Sequence, residues 1–178
     1  MHTTLLISFV GPDRPGMVEQ LAAAIAESQG NWLESSMSSL AGHFAGIVRI
    51  HLPDNQRSTL DSALAKLQSQ QLQTQVYESL AASDADPAEG QPLRVSIVGI
   101  DRPGIIHEVS QAFVWAQLNI ARMRTEISSA PMSGESMFHS DIELQATTAL
   151  DLDELERKLD AIATTLSVEI DLGFIEPN

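Results

Sequence analysis

At 178 residues the chain can hold one average domain or two small ones, and 43% hydrophobic residues with only 4% aromatics give a core of mainly aliphatic side chains. Ten Lys and Arg against 24 Asp and Glu leave a formal charge of −14, which repels phosphate backbones and argues against direct DNA or RNA binding. Cysteine is absent, removing disulfides, thiolate metal sites and cysteine nucleophiles together. No apolar run is as long as a membrane span, and Met1-His2-Thr3-Thr4 lacks a signal-peptide layout, so a cytoplasmic location is expected.

In chain order, Leu5, Ile7 and Phe9 alternate as a strand does, and Val18, Leu21, Ala22, Ile25 and Ala26 then follow helical spacing up to a stop at Gly30-Asn31. Strands are predicted at about Trp32 to Leu40 and Phe44 to Leu52, with a turn around Gly42. A second helix carries Leu60, Ala63, Leu64 and Leu67 on one face, and Val76 to Leu80 forms a closing strand. Ser83 to Gln91 is short, acidic and bears Pro and Gly, as an exposed connector does. After it the order begins again: a strand at Val95 to Val98, a helix on Ile106, Val109, Phe113 and Ala116, and a hairpin around Gly134. A helix on Leu152, Leu155, Leu159 and Ile162 follows, then a strand near Val168 to Leu172.

The second half is thus a copy of the first. Leu5 to Gly16 recurs as Leu93 to Gly104, an offset of 88 positions that holds through Asn31 and Asn119. Beyond the hairpin the offset reads as 92, from Leu60 to Leu152, Leu67 to Leu159 and Val76 to Val168, which puts four extra residues near Ala130 to Gly134. The domains are therefore residues 1–82 and 92–178, joined by a linker at 83–91. Each has the order βαββαβ, a ferredoxin-like α+β unit with an antiparallel four-stranded sheet and both helices on one face. Free strand edges allow the two sheets to join, and the copies are expected to pair.

The repeated Gly-x-Asp-Arg-Pro-Gly, Gly11 to Gly16 and Gly99 to Gly104, falls where the first strand meets the first helix. Pro15 and Pro103 suit a first helical turn, Gly16 and Gly104 permit close approach, and Gly11 and Gly99 can take turn conformations. Helix-start amides there attract a carboxylate, and Asp13 and Asp101 attract an ammonium. Together they suit an amino acid. The bland alternative is that each Asp is an ordinary helix cap. Asn31 and Asn119 divide in the same way, between capping the preceding helix and facing a ligand.

Two βαββαβ units, each with an Asp-Arg-Pro-Gly corner and an Asn opening its second strand, resemble tandem ACT domains, and a stand-alone pair is similar to the glycine cleavage system transcriptional repressor family. That resemblance implies effector pockets where two units meet: Gly11, Asp13 and Gly16 with Asn119, and Gly99, Asp101 and Gly104 with Asn31. It also implies glycine as effector, a DNA-bound transcriptional activator as protein partner, and no cofactor. Two departures, Gly30 to Leu118 and Pro12 to Ile100, make the pockets unequal. At a ceiling of about −1.5 kcal/mol per heavy atom, glycine gains at most roughly 7 to 8 kcal/mol, so its best affinity is micromolar.

Nothing in the sequence forms a catalytic constellation. His2, His43, His51, His107 and His139 lack metal spacing, and no nucleophile elbow or phosphate loop is present. Trp32 and Trp115 read as packing residues, with Trp115 a possible interface marker. Arg14 and Arg102 read as exposed, and Asp151, Asp153, Glu154 and Glu156 as a dipole-matched helix start. The expected function is a non-enzymatic, amino-acid-responsive regulator of transcription, with homo-oligomerisation open. The rivals are a ligand-independent interaction module and a regulatory subunit of a metabolic enzyme.

Overall fold

The computed structural model describes residues 2–78, 92–131, 134–146 and 150–175. The linker expected at 83–91 lies outside the described residues, as do Met132 and Ser133 of the lengthened hairpin. The chain divides into two units, Met1–Asp84 and Ala85–Asn178. In the first, β1 (His2–Pro12), α1 (Met17–Glu27), β2 (Asn31–Leu40), β3 (His43–Pro53), α2 (Arg57–Ser69) and β4 (Gln73–Glu78) follow in order, with one 3-10 turn at Asp54–Gln56 before α2. The second has β5 (Leu93–Ile100), α3 (Ile105–Trp115), β6 (Leu118–Ser129), β7 (Ser136–Ala146), α4 (Leu152–Leu166) and β8 (Val168–Phe174). The strands form two antiparallel sheets, in the orders β2-β3-β1-β4 and β6-β7-β5-β8. Both units are ferredoxin-like βαββαβ folds.

Alternation builds each core. Leu5, Ile7 and Phe9 of β1 and Val48, Ile50 and Leu52 of β3 point to the helices and are buried with Leu21, Ile25, Leu60 and Leu64. In the second unit Val95, Ile97, Ile142 and Leu144 meet Val109, Phe113, Leu155 and Leu159. Burying such a side chain contributes about 1.5–3 kcal/mol, which offsets chain entropy in each unit separately. The buried face of α1 is Met17, Leu21, Ala24 and Ile25, so Val18 and Ala26 of the predicted stripe are exposed and Ala22 is half-buried. Alanine at three successive positions, 22 to 24, makes more than one apolar stripe readable, and packing selects among them. In α3 the buried face likewise starts at Ile105 instead of Ile106.

Strand pairing corrects the repeat alignment. Gly11 pairs with Phe44 and Gly99 with Phe138, so β3 and β7 correspond at an offset of 94. Ile7 pairs with Val76 and Val95 with Leu172, so Val76 matches Leu172 and not Val168. The copies differ by small changes in several connections, in addition to the hairpin. Alternation alone cannot place such changes, because a shift of two residues preserves it.

Trp32 packs against the first core as expected, whereas Trp115 remains 48% exposed with the Lys158 ammonium 4.3 Å from its ring centre. The acidic start of α4 has the predicted role. Asp151 accepts from the Glu154 amide at 3.1 Å, and Glu154 pairs with Arg157 and Lys158.

Candidate functional site

Each strand-to-helix corner is anchored by its aspartate's backbone. The Asp13 amide donates to the Gly42 carbonyl at 2.8 Å, and the Asp101 amide donates to the Ser136 carbonyl at 2.8 Å. Those carbonyls belong to the β2–β3 and β6–β7 hairpins, so each corner is fixed against the hairpin of its own unit. Ala41 and Gly42 both have positive φ, as a two-residue turn with the twist of its strands requires.

Gly16 and Gly104 are the N-caps of α1 and α3, with φ of 91° and 101°. That is left-handed backbone, which explains glycine in both motifs. The helices begin at Met17 and Ile105, so Pro15 and Pro103 precede the cap and do not occupy the predicted first turn. A Cβ at Gly16 or Gly104 would meet no atom of the described residues within 4 Å, so among them the space before both helix starts is open. Among the described residues no side chain caps either helix, in contrast to α4. The first amides of α1 and α3 therefore face outward with the positive end of the dipole.

This geometry removes the helix-cap reading of the aspartates. Asp13 turns its carboxylate to β2, where it accepts from the Ser39 hydroxyl, and both aspartates are exposed. The residue matching Ser39 is Ile127, opposite Phe138 as Ser39 is opposite Phe44. Asp101 thus has no matching hydroxyl, and the corners differ where a cation would bind. Arg14, read as exposed, donates to the Gln70 carbonyl at 2.6 Å and so meets the negative end of α2.

Gly11 and Gly99 have a different role from the one their turn-like sequence suggests. They are buried strand residues without positive φ. A Cβ at Gly11 would stand 2.8 Å from the Gln71 carbonyl oxygen, and one at Gly99 would stand 2.5 Å from Val168 Cγ1. They are glycine so that the chain around β4 or β8 can lie directly over them. Asn31 and Asn119 are exposed, opposite His51 and Gln145. Asn31 does not cap α1, whose last carbonyls receive the Gln29 and Gly30 amides at 2.9 Å each, with Gln29 in the left-handed position at φ 57°. Sequence reasoning missed Ser39 and the Arg14 contact. An offset of 88 from Ser39 leads to Ile127, and that mismatch was the available signal.

Among the described residues no three His, Asp or Glu side chains group to hold a metal, and no helix is long and apolar enough to cross a membrane.

Residues 3–77 match the family model for the ACT domain. The first unit resembles an ACT domain over nearly its whole length. The second repeats its strand order and helix placement, giving a tandem ACT fold. A crystal structure of an unknown protein from Galdieria sulphuraria has a TM-score of 0.80 to this ACT pair, with 24% identity over 99% of this chain and 100% of that one. A second crystal structure, of a proposed glycine cleavage system transcriptional repressor, has a TM-score of 0.72 at 22% identity over 99% of each chain. At those identities the likeness establishes the ACT-pair fold. No curated protein matches the sequence.

Proposed function

We propose that this tandem ACT protein is a non-enzymatic, cytoplasmic regulator that responds to a small amino acid, glycine foremost, and controls transcription through a DNA-bound activator. One observation carries the reading. Among the described residues both corners leave an uncapped helix start with open space before its left-handed glycine, next to an exposed aspartate, while α4 of the same chain is capped. Such a corner offers a carboxylate its amides and an ammonium its aspartate. Gly16, Asp13, Gly104 and Asp101 are the proposed contacts, Asn31 and Asn119 add amides, and Gly11 and Gly99 act by letting the corner form. The charge of −14 supports a protein partner over DNA.

Isothermal titration with glycine and a panel of amino acids tests the reading. The expected result is saturable heat that Asp101→Ala removes from one site and Asp13→Ala from the other. No heat and no thermal shift at millimolar ligand would overturn it. Pull-down from native lysate with and without glycine then tests the partner. Ser39 favours a second reading for the first corner only, as a ligand-independent interaction surface, because its hydroxyl already satisfies Asp13. Under that reading Ser39→Ala leaves ligand binding unchanged, and under the first it strengthens it.

A further inference from the structure

Within each unit the sheet packs its own helices on one face and none of them on the other. On that other face of the first sheet lies a groove of roughly 250 Å³, lined by Leu6, Glu34, Ser35, Ser36, Ile47 and Arg49. Strand register assembles it, since Arg49 lies between Leu6 on β1 and Glu34 on β2, and Ile47 lies opposite Ser36. A bulge makes this possible: pairing skips Leu33, and the skip brings Glu34 to the open face opposite Arg49. Glu34 Oε1 is 2.9 Å from Arg49 Nε, yet that nitrogen is sealed from solvent and not aligned for a hydrogen bond. The pair is a charge contact with hydrogen-bonding capacity left over. Ile47, two residues along β3 from Arg49, is 45% exposed and gives an apolar floor beside the charge pair.

The same sheet face of the second unit carries different side chains at these rungs. Matched by strand pairing, Leu6 becomes Arg94 and Ile47 becomes Asp141, and those two form an ion pair where the apolar floor would be. The Glu34–Arg49 pair becomes Arg122–Glu143 with the signs exchanged.

We propose that the groove of the first unit is a second ligand site, for an α-amino acid with an apolar side chain. The ligand carboxylate lies on the Arg49 guanidinium, the ammonium on Glu34, and the side chain on Leu6 and Ile47. The ligand's two charges continue the cross-strand pair, and the apolar floor selects against glycine. This site is separate from the corners and does not depend on them.

The test is a titration of the 15N-labelled full chain with leucine, read at the backbone amides of Leu6, Ile47 and Arg49. Saturable shifts at millimolar leucine are expected, with none from glycine. Leucinol and N-acetyl-leucine, each lacking one charge, bind about tenfold more weakly, as does leucine to Arg49→Met or Glu34→Gln. Leu6→Arg combined with Ile47→Asp copies the floor of the second unit and abolishes the shifts, with circular dichroism confirming that the variant is folded. If that variant does not fold, the two analogues and Glu34→Gln decide the matter. No saturable shift on this face, or equal binding of leucine and both analogues, overturns the proposal. Shifts that depend on protein concentration in place of ligand overturn it too, and would make the face a self-association surface.

Discussion

Replacing Gly99 by Ala asks whether the first glycine of the second motif serves packing or a ligand. The new methyl would stand 2.5 Å from Val168 Cγ1 and 2.9 Å from Val168 Cα, against a comfortable carbon separation of about 3.5–4.0 Å. Side-chain rotation can relieve the first contact only. The second belongs to the backbone of β8, which pairs with Gly99 in register. Overpacking of this kind costs about 1–3 kcal/mol, and the stiffer unfolded chain returns about 0.5–1, so a net loss of about 1–2 kcal/mol is expected. Urea unfolding followed by amide NMR reports it unit by unit, which matters because two units need not unfold together. Val168→Ala removes Cγ1 but not the backbone clash. The double variant should therefore lose less than the sum of the singles, with a coupling of about 1 kcal/mol. A loss within about 0.5 kcal/mol of zero for Gly99→Ala, or strict additivity with Val168→Ala, would refute the packing account.

Three further outcomes are expected. The Ser140 hydroxyl is buried in the second unit with no hydrogen-bond partner among the described residues, so Ser140→Ala should raise the stability of that unit by about 1 kcal/mol in urea unfolding. Gln71 ends α2 at φ 68°, with the Leu72 amide donating to Leu67 at 3.1 Å, so Gln71→Gly should stabilise the first unit by up to about 1 kcal/mol. The hydrogen bond and charge of Arg94 hold the Asp141 carboxyl below its usual 3.8. That folded-state value is depressed, so the pair's contribution is present above 3.8 and disappears as pH falls through and below it. With Asp141 42% exposed the effect is small, under about 1 kcal/mol, and Asp141→Asn should remove it from a pH series of melting temperatures.

The fold was legible because each unit changes period in a fixed order, from the alternation of Leu5, Ile7 and Phe9 to the helical stripe of Leu60, Ala63, Leu64 and Leu67. Register was not legible. Val76 and Val168 look alike as strand valines, but hydrogen bonding matches Val76 to Leu172. The corners were legible as positions and only partly as chemistry. Gly16 and Gly11 read alike in a motif, yet one needs positive φ and the other needs room for the Gln71 carbonyl, and both requirements come from neighbours remote in sequence. Ser39 lies 26 residues from Asp13 on another strand, so only folding brings it to the carboxylate. The open-face groove was unreadable for the same reason, since it exists only once a bulge has moved Glu34 to face Arg49.

The exchanged signs of Glu34–Arg49 and Arg122–Glu143 affect how a duplicated chain finds its own strands. Fused copies of one fold risk lending each other a hairpin arm during folding, because the hydrogen-bonding edges are alike. Here β2 laid on β7 would set Glu34 against Glu143, and β6 laid on β3 would set Arg122 against Arg49. Like charges facing across a ladder disfavour both exchanges. Opposite polarity at this one rung therefore favours each half's own pairing over the exchanged one.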